Sequence, residues 1–404
     1  MVDKKIVVKK FGGTSVGSLE RIEWVADRIK EDFERGQKPI VVASAMSGET
    51  NRLVELANRM SPEYRGPAYD MLVASGEQVS ISLLSMALDK RGLNAQPLLA
   101  YQLGIKTDSI YSKAKIVDVN GKRLLQLVDA NTIPVVAGFQ GIDDETNVTT
   151  LGRGGSDTTA VALAASIESD TCEIYTDVPA VFNADPRLIP SAKELSAISF
   201  EEMMEMASLG SKVLHIRSVE MAYKFGVKIH LRSTFEKREG TWIVPEGEVM
   251  EKPMVSSVTH DASTVVVKLF PIPKGPKILS NLFENLAENG VVVDIITQSQ
   301  NEEGQRLAFS INAEDLVNTR KVLKELLPTE VGIQEMNNMA KISVVGVGMR
   351  THFGVAARFF KVFAENDIPV HLVTTSEIKI SAVVDQENLK QAAQVLHESF
   401  DLGK

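Results

Sequence analysis

Through the first 245 residues, short continuous apolar runs alternate with stretches whose apolar residues recur at helical spacing. The runs are Ile6–Val8, Ile40–Ala43, Pro97–Ala100, Ile133–Phe139, Cys172–Thr176 and Val227–Leu231, with Thr241–Val244 closing the series. Between them come Leu19, Ile22, Val25, Ala26, Ile29 and Phe33, a long helical region from about Ala68 to Lys90, the Ala-rich Ala160–Ser166, and a helical pattern from Phe200 through Leu209 that leads on to His215. A strand that is apolar on both faces must be covered on both, and strands joined through helices run parallel. The pattern therefore predicts an α/β fold with a mostly parallel sheet and helices on both faces. Ligands bind such sheets beyond the carboxyl ends of the strands.

Polar, glycine-rich stretches fall at those ends. The run from Ile6 passes Lys9, Lys10 and Phe11, turns through Gly12-Gly13 to Thr14-Ser15, and enters a helix from Ser18 to about Gly36. Glycines let backbone N–H groups approach phosphate oxygens, and a helix N-terminus favours an anion. The order is not that of a Walker A loop, because the lysine precedes the glycines. By itself such a corner is more often a plain strand–helix turn.

Length and composition narrow the reading. A chain of 404 residues fits roughly two to three domains. A net charge of −9 and a pI near 5.4 argue against non-specific nucleic-acid binding. The single cysteine, Cys172, has no intrachain partner and sits in an apolar run, as a buried strand cysteine does. No apolar leader precedes the first strand and no uncharged run is long enough to cross a bilayer, so a cytoplasmic protein without a membrane partner is expected. The six histidines are scattered, which predicts no protein-built metal cage; His215 reads as structural, and Met203, Met204, Met206 and Met221 as helix packing.

The charged segments Glu236–Gly240 and Pro245–Glu248 read as a linker. Beyond it the chain repeats. A first unit runs strand Thr264–Leu269, helix Pro276–Asn289, strands Val291–Gln298 and Arg306–Ile311, helix Leu316–Leu326 and strand Gly332–Asn337. A second runs strand Lys341–Val347, helix Val355–Ala364, strands Val370–Thr374 and Ile378–Val384, and helix Leu389–Phe400. Leu286–Thr297 aligns with Phe363–Thr374. The first has the order βαββαβ; the second lacks its last strand, and an uncovered edge needs a partner. The alternating segment Met254–Thr259 can supply it, which places the first unit as an insertion within the second. The expected domains are residues 1–245, 263–338, and 250–262 with 339–404.

Together, Lys10–Ser15, Ser44–Gly48 with Thr50-Asn51, Ser75-Gly76-Glu77, Gly152–Asp157, Thr176-Asp177-Val178 and Ala184–Arg187 resemble the aspartokinase family, in the family's order, and the repeated tail resembles its paired βαββαβ (ferredoxin-like) ACT modules. The resemblance covers essentially the whole chain. It implies transfer of the ATP γ-phosphoryl group to the β-carboxylate of L-aspartate, giving 4-phospho-L-aspartate, the first step towards lysine, threonine and methionine. A carboxylate is already a nucleophile at neutral pH, so the task is to hold two anions together and stabilise charge. The resemblance implies that Lys10, with the backbone of Phe11, Gly12 and Gly13, contacts the transferring phosphate. Lys212 is the second cation, on the nucleotide side, and Asp157 orients the lysines. Thr176, Asp177, Phe182, Asp185 and Arg187 complete the ATP site. Arg153 forks the substrate α-carboxylate, Glu77 pairs with its ammonium, and Ser44, Thr50, Gly154, Gly155 and Ser156 line the same site. Mg2+ is expected on the phosphates. The sequence departs from the family at Ala180, where glycine is common, at Phe182, where tyrosine is common, and at Glu49, where an apolar residue is common.

The ACT resemblance further implies feedback by lysine, threonine or both, with Asp294, Thr297, Gln298, Thr375, Ser376 and Glu377 at equivalent strand ends as effector residues. ACT modules pair side by side, so a homo-oligomer is expected. Met250 or Met254 could start a regulatory-only chain that joins it. Two other classes remain open: an amino acid kinase acting on glutamate or an acylated amino acid, and a catalytically dead amino-acid sensor.

Overall fold

The computed structural model describes residues 6–210, 213–249, 253–272, 275–301 and 304–404. Lys212 and Met250 lie outside them. The described residues form two compact units. One lies within Met1–Val181, Glu194–Ala207 and Lys212–Met250, the other within Phe182–Lys193, Ser208–Ser211 and Glu251–Lys404.

In the first unit the chain runs β1 (Ile6–Phe11), α1 (Leu19–Glu34), β2 (Lys38–Ala43), α2 (Glu49–Met60), α3 (Pro67–Val73), α4 (Ser75–Asp89), β3 (Ala95–Leu98) and α5 (Ala100–Leu103). It continues through β4 (Lys106–Thr107), β5 (Ile116–Asp118), α6 (Lys122–Asp129), β6 (Ile133–Ala137), β7 (Gln140–Ile142), β8 (Val148–Thr150) and α7 (Gly155–Ser166). Then follow β9 (Thr171–Thr176), β10 (Ala197–Ser199), α8 (Phe200–Ser208), α9 (Ile216–Phe225), β11 (Lys228–Ser233) and β12 (Thr241–Val244). Eight strands form the main sheet in the order β10-β12-β11-β9-β1-β2-β6-β3. Every pairing is parallel except β11 with β12. Val8, Ile40, Val42, Cys172 and Ile174 face one apolar layer that includes α7 and α9; Phe11, Val41, Ala43 and Tyr175 face another that includes α1 and α4. Side chains alternate across a strand, so Lys9 and Lys10 leave β1 on opposite faces.

From β1 the chain steps through β2 towards β6, and only later places β9 on the other side of β1. This reversal opens a crevice at the carboxyl ends of β1 and β9. The Gly12 N–H donates to the Tyr175 carbonyl there, at 3.2 Å.

Several elements differ from their expected course. Helix α2 starts at Glu49, where a loop was expected; Glu49 holds Arg52 of the same turn through two bonds of 2.6 and 2.9 Å. The long helical region divides at Ala74 into α3 and α4. Helix α7 begins at Gly155 rather than Ala160, because the polar residues Ser156–Thr159 are buried within it. Helix α9 lies beyond His215, which caps it. Glu236–Gly240 is no linker; it joins β11 to its antiparallel neighbour β12. The strands β4, β5, β7 and β8 make a small separate sheet that apolar periodicity does not reveal. Pro67–Asp89 has the length and apolarity of a membrane span, but 56% of its apolar window is buried inside the protein. Its acids Asp70 and Glu77 are buried as well, as in a core helix.

The second unit contains β13 (Ser257–Ile272), α10 (Pro276–Glu288), β14 (Val293–Asn301), β15 (Gly304–Asn312), α11 (Leu316–Leu326), β16 (Gly332–Val345), α12 (Val355–Glu365), β17 (Leu372–Thr375), β18 (Lys379–Asp385) and α13 (Leu389–Ser399). One antiparallel sheet runs β14-β15-β13-β16-β18-β17. Strands β13 and β16 are each continuous where two shorter strands were expected. The first part of β13, Ser257–Asp261, lies against Lys341–Val345; the later part pairs with β15 and with Gly332–Met339. Register shifts at Asp261/Thr264 and Thr264/Val266 absorb the change, and Asn338 takes φ +58° opposite them. Each half has its own core: α10 and α11 cover Val265, Val267 and Phe309, while α12 and α13 cover Val258, Ile342 and Val384.

Candidate active site

At the end of β1 the Lys10 Nζ stands 2.5 Å from Asp157 Oδ1. Both side chains are mostly buried, Lys10 at 9% and Asp157 at 8% exposure. Strand alternation sends Lys10 towards α7, and the αL turn at Gly154 starts α7 early enough to put Asp157 in its first turn. An acid there is favoured by the helix dipole. A cation over a helix N-terminus, between two strand ends, is a place where phosphoryl charge can be stabilised.

Gly154 is required by its surroundings. Its φ is +70°, and a Cβ would come within 2.1 Å of the His215 Cβ. The neighbouring Arg153 is exposed, Gly155 and Ser156 are buried, and Ser156 lies against Gly138 at the end of β6. His215 is held below its ordinary pKa by burial and by Arg217, with Asp157 acting the other way.

A second wall comes from the end of β2 and the start of α4. The Ser44 N–H donates to the Phe11 carbonyl at 3.1 Å, and the Ser80 hydroxyl donates to the Ser44 carbonyl at 2.7 Å. Ala45 N–H donates to Glu77 Oε1 at 3.0 Å. Glu77 is 2% exposed, and its Oε2 is buried without a hydrogen-bond partner among the described residues. Burial pushes its pKa up to about 8 against the pull of the Ala45 N–H. An acceptor oxygen left orphaned in this way suits an incoming cationic donor. Thr50 lies in the first turn of α2.

Thr176 ends β9, and its hydroxyl donates to Asp177 at 3.1 Å. Phe182, Asp185 and Arg187 group with the second unit. Arg187 there donates to Asp185 through Nε and Nη2 at 3.0 and 2.8 Å, so the two charges satisfy each other. Among the described residues no group of three or more His, Cys, Asp or Glu could hold a metal ion.

In the second unit the expected effector residues fall differently from one another. Asp294 to Gln298 occupy the body of β14, not its end, because that strand continues to Asn301. Asp294 forms an ion pair with Lys341, and Thr297 lines a cavity of about 310 Å3 with Lys268, Phe270, Ser299 and Gln334. Thr375 does end β17; Ser376 and Glu377 follow it, and Glu377 lies 3.3 Å from Arg350. Motif reading missed the hydroxyl pair Ser15–Thr234, 2.7 Å apart, which joins the glycine turn after β1 to the end of β11. Neither spacing nor composition signals a contact over that separation.

The amino acid kinase family matches residues 5–233, and an ACT domain matches residues 342–400. The chain is 45% identical over 401 residues to an aspartokinase of Bacillus sp. (strain MGA3), covering 98% of this chain and 97% of that one. It is 43% identical over 403 residues to the aspartokinase of Pseudomonas aeruginosa, covering 98% of each. Among solved structures, E. coli aspartokinase III in complex with aspartate and ADP (R-state) matches with a TM-score of 0.83 at 25% identity, covering 98% of this chain and 99% of that one. With identity sustained from end to end and a kinase unit followed by ACT architecture, this chain belongs to the aspartokinase family of amino acid kinases.

Proposed function

We infer that this chain is an aspartate kinase that transfers the γ-phosphoryl group of ATP to the β-carboxylate of L-aspartate. One observation carries the reading: a buried lysine, Lys10, held by Asp157 at the strand-end crevice over the start of α7. In the reaction a β-carboxylate oxygen bonds to the γ-phosphorus as the bond to the ADP oxygen breaks. No proton needs to move, and ADP leaves with the electron pair. Lys10 offsets charge on the transferring group, and Asp157 fixes where its ammonium sits. The Gly12 and Gly13 backbone lies alongside. Arg153 takes the α-carboxylate, Glu77 Oε2 the ammonium, and Ser44, Thr50, Gly154, Gly155 and Ser156 line the remainder.

Thr176, Asp177, Phe182, Asp185, Arg187 and Lys212 are the proposed nucleotide contacts. Mg2+ is proposed as a cofactor held chiefly by the phosphates of the nucleotide, where it would offset their charge. The ACT half is proposed as a sensor for lysine, threonine or both, through Asp294, Thr297, Gln298, Thr375, Ser376 and Glu377. The E. coli aspartokinase III structure that matches at a TM-score of 0.79 and 25% identity is a complex with lysine and aspartate, which favours lysine. A homo-oligomer, or an assembly with a regulatory-only chain, completes the proposal.

The test is ATP-dependent acyl phosphate formation, trapped with hydroxylamine. Product is expected with aspartate and not with glutamate, and Lys10→Ala is expected to lower kcat by at least about 100-fold. Trapping with glutamate alone would replace aspartate as the substrate. Absence of product with either would return the chain to a sensor.

A further inference from the structure

Two buried or half-buried charges of opposite sign grip the same two segments beneath the Arg153 loop. Asp70, on α3, has no solvent exposure. Its carboxylate accepts from the Ser112 N–H at 3.0 Å through each oxygen and from the Thr150 N–H at 2.6 Å. Arg217, on α9, donates to the Leu151 carbonyl, and also to the Ala114 carbonyl at 2.8 Å. The acid takes the N–H groups of residues 112 and 150, and the base takes the carbonyls of 114 and 151. A backbone bond from Ala114 N–H to Thr150 O, 2.9 Å, joins the segments directly between the two grips.

The next residues upward are Gly152, Arg153 and Gly154. The two glycines have no side chains to hold a conformation, and the Arg153 side chain is exposed. The base of the loop is instead anchored at four backbone groups by two side chains from distant helices. A fully buried carboxylate costs free energy unless its partners are well placed, and here they are main-chain N–H groups of the segments that carry or support the loop, with the Thr150 side chain adding to them.

We propose that Asp70 and Arg217 are positioning residues for aspartate, acting through Arg153: together they set the height and orientation of the Gly152–Gly155 turn, so that Arg153 meets the substrate α-carboxylate without an ordering cost at binding. The proposal rests on the assignment of Arg153 to aspartate made above. Preorganisation of this kind acts on substrate affinity and on alignment in the transition state.

The experiment measures steady-state kinetics with aspartate and ATP varied separately, for the wild-type chain and for Arg217→Met, Arg217→Lys, Asp70→Asn, Arg153→Lys and the double variant Arg153→Lys/Arg217→Met. Arg217→Met is expected to raise the KM for aspartate about tenfold or more with at most about a twofold change in the KM for ATP. Arg217→Lys, which keeps a donor, is expected to recover part of the loss. If Arg217 acts through Arg153, the double variant loses less than the product of the single losses. Asp70→Asn keeps one acceptor oxygen and is expected to follow Arg217→Met in sign; should it fail to fold, the arginine series stands alone. An unchanged aspartate KM in Arg217→Met, equal rises in both KM values, or multiplicative losses in the double variant would overturn the proposal. If Arg153→Lys itself leaves aspartate KM unchanged while the wild-type chain phosphorylates aspartate, the Arg153 assignment fails instead, and the two failures are told apart.

Discussion

In its proposed role at the substrate ammonium, Glu77 is a carboxyl group whose protonation is tied to its ligand. Burial holds its pKa near 8, so below that pH the folded chain keeps it largely neutral. An ammonium binding at Oε2 selects the ionised form and must displace that proton. Aspartate affinity should therefore weaken as pH falls, with KM rising by up to about tenfold per unit between pH 8 and 6.5 while the KM for ATP does not follow. In Glu77→Gln the aspartate KM should be high and flat over the same range. A wild-type aspartate KM independent of pH would remove Glu77 from ammonium recognition. The same shift bears on stability. A carboxyl whose folded pKa is raised makes the native state bind the extra proton, so its contribution to stability declines as pH rises from about 4.5 to about 8. Thermal melts should show Glu77→Gln gaining on the wild-type chain across that window and levelling off above it.

At the scale of elements, β1 serves both faces of its sheet. Lys10 points to α7. Lys9 points to α1, where it is 1% exposed and bonds Asp32 and Glu173, each at 2.7 Å. Tyr175 donates to Glu173 at 2.7 Å. Burial works against the charge on Lys9, but Tyr175, Glu173 and Asp32 more than offset it and its pKa is raised. Removing one member of such a group strands the others, so Lys9→Ala should cost about 3–5 kcal/mol in urea unfolding. A loss below about 1 kcal/mol would mean the cluster relaxes into water. Helix α7 depends on its entry in the same way. Gly154→Ala must displace His215 or move the turn, and should lower kcat/KM for aspartate by at least about tenfold.

For the whole molecule, the sheet of the second unit fuses two βαββαβ patterns through β13 and β16. Lys341 on β16, nearly buried, pairs with Asp294 on β14, and so ties one half of that sheet to the other. If an amino-acid effector acts through Asp294, it competes with this ion pair. Lys341→Ala should then shift the midpoint of lysine or threonine inhibition several-fold, measured by titrating each amino acid against aspartate phosphorylation. An unshifted midpoint would free Asp294 from the sensing role.

Local chemistry written along the chain already specified much of this. Continuous apolar runs dictate a parallel sheet because both strand faces must be covered, and glycine-rich turns mark strand ends because only there does the backbone need to bend tightly and meet a ligand. Helix α1 could be read to within two residues, since Ser18 caps it and accepts from the Arg21 N–H at 3.3 Å. Polar helical turns were not legible. Ser156 and Asp157 read as loop until the fold buries them, and α2 was hidden because its face is mostly exposed and charged. Nor does any local pattern say that β13 and β16 run on unbroken, since that depends on pairing across the sheet. The partners of Glu77, Lys9, Asp70 and Arg217 belong wholly to tertiary structure. Whether a charge is paired, orphaned or lifted in pKa depends on which distant backbone and side chains surround it once water has been excluded.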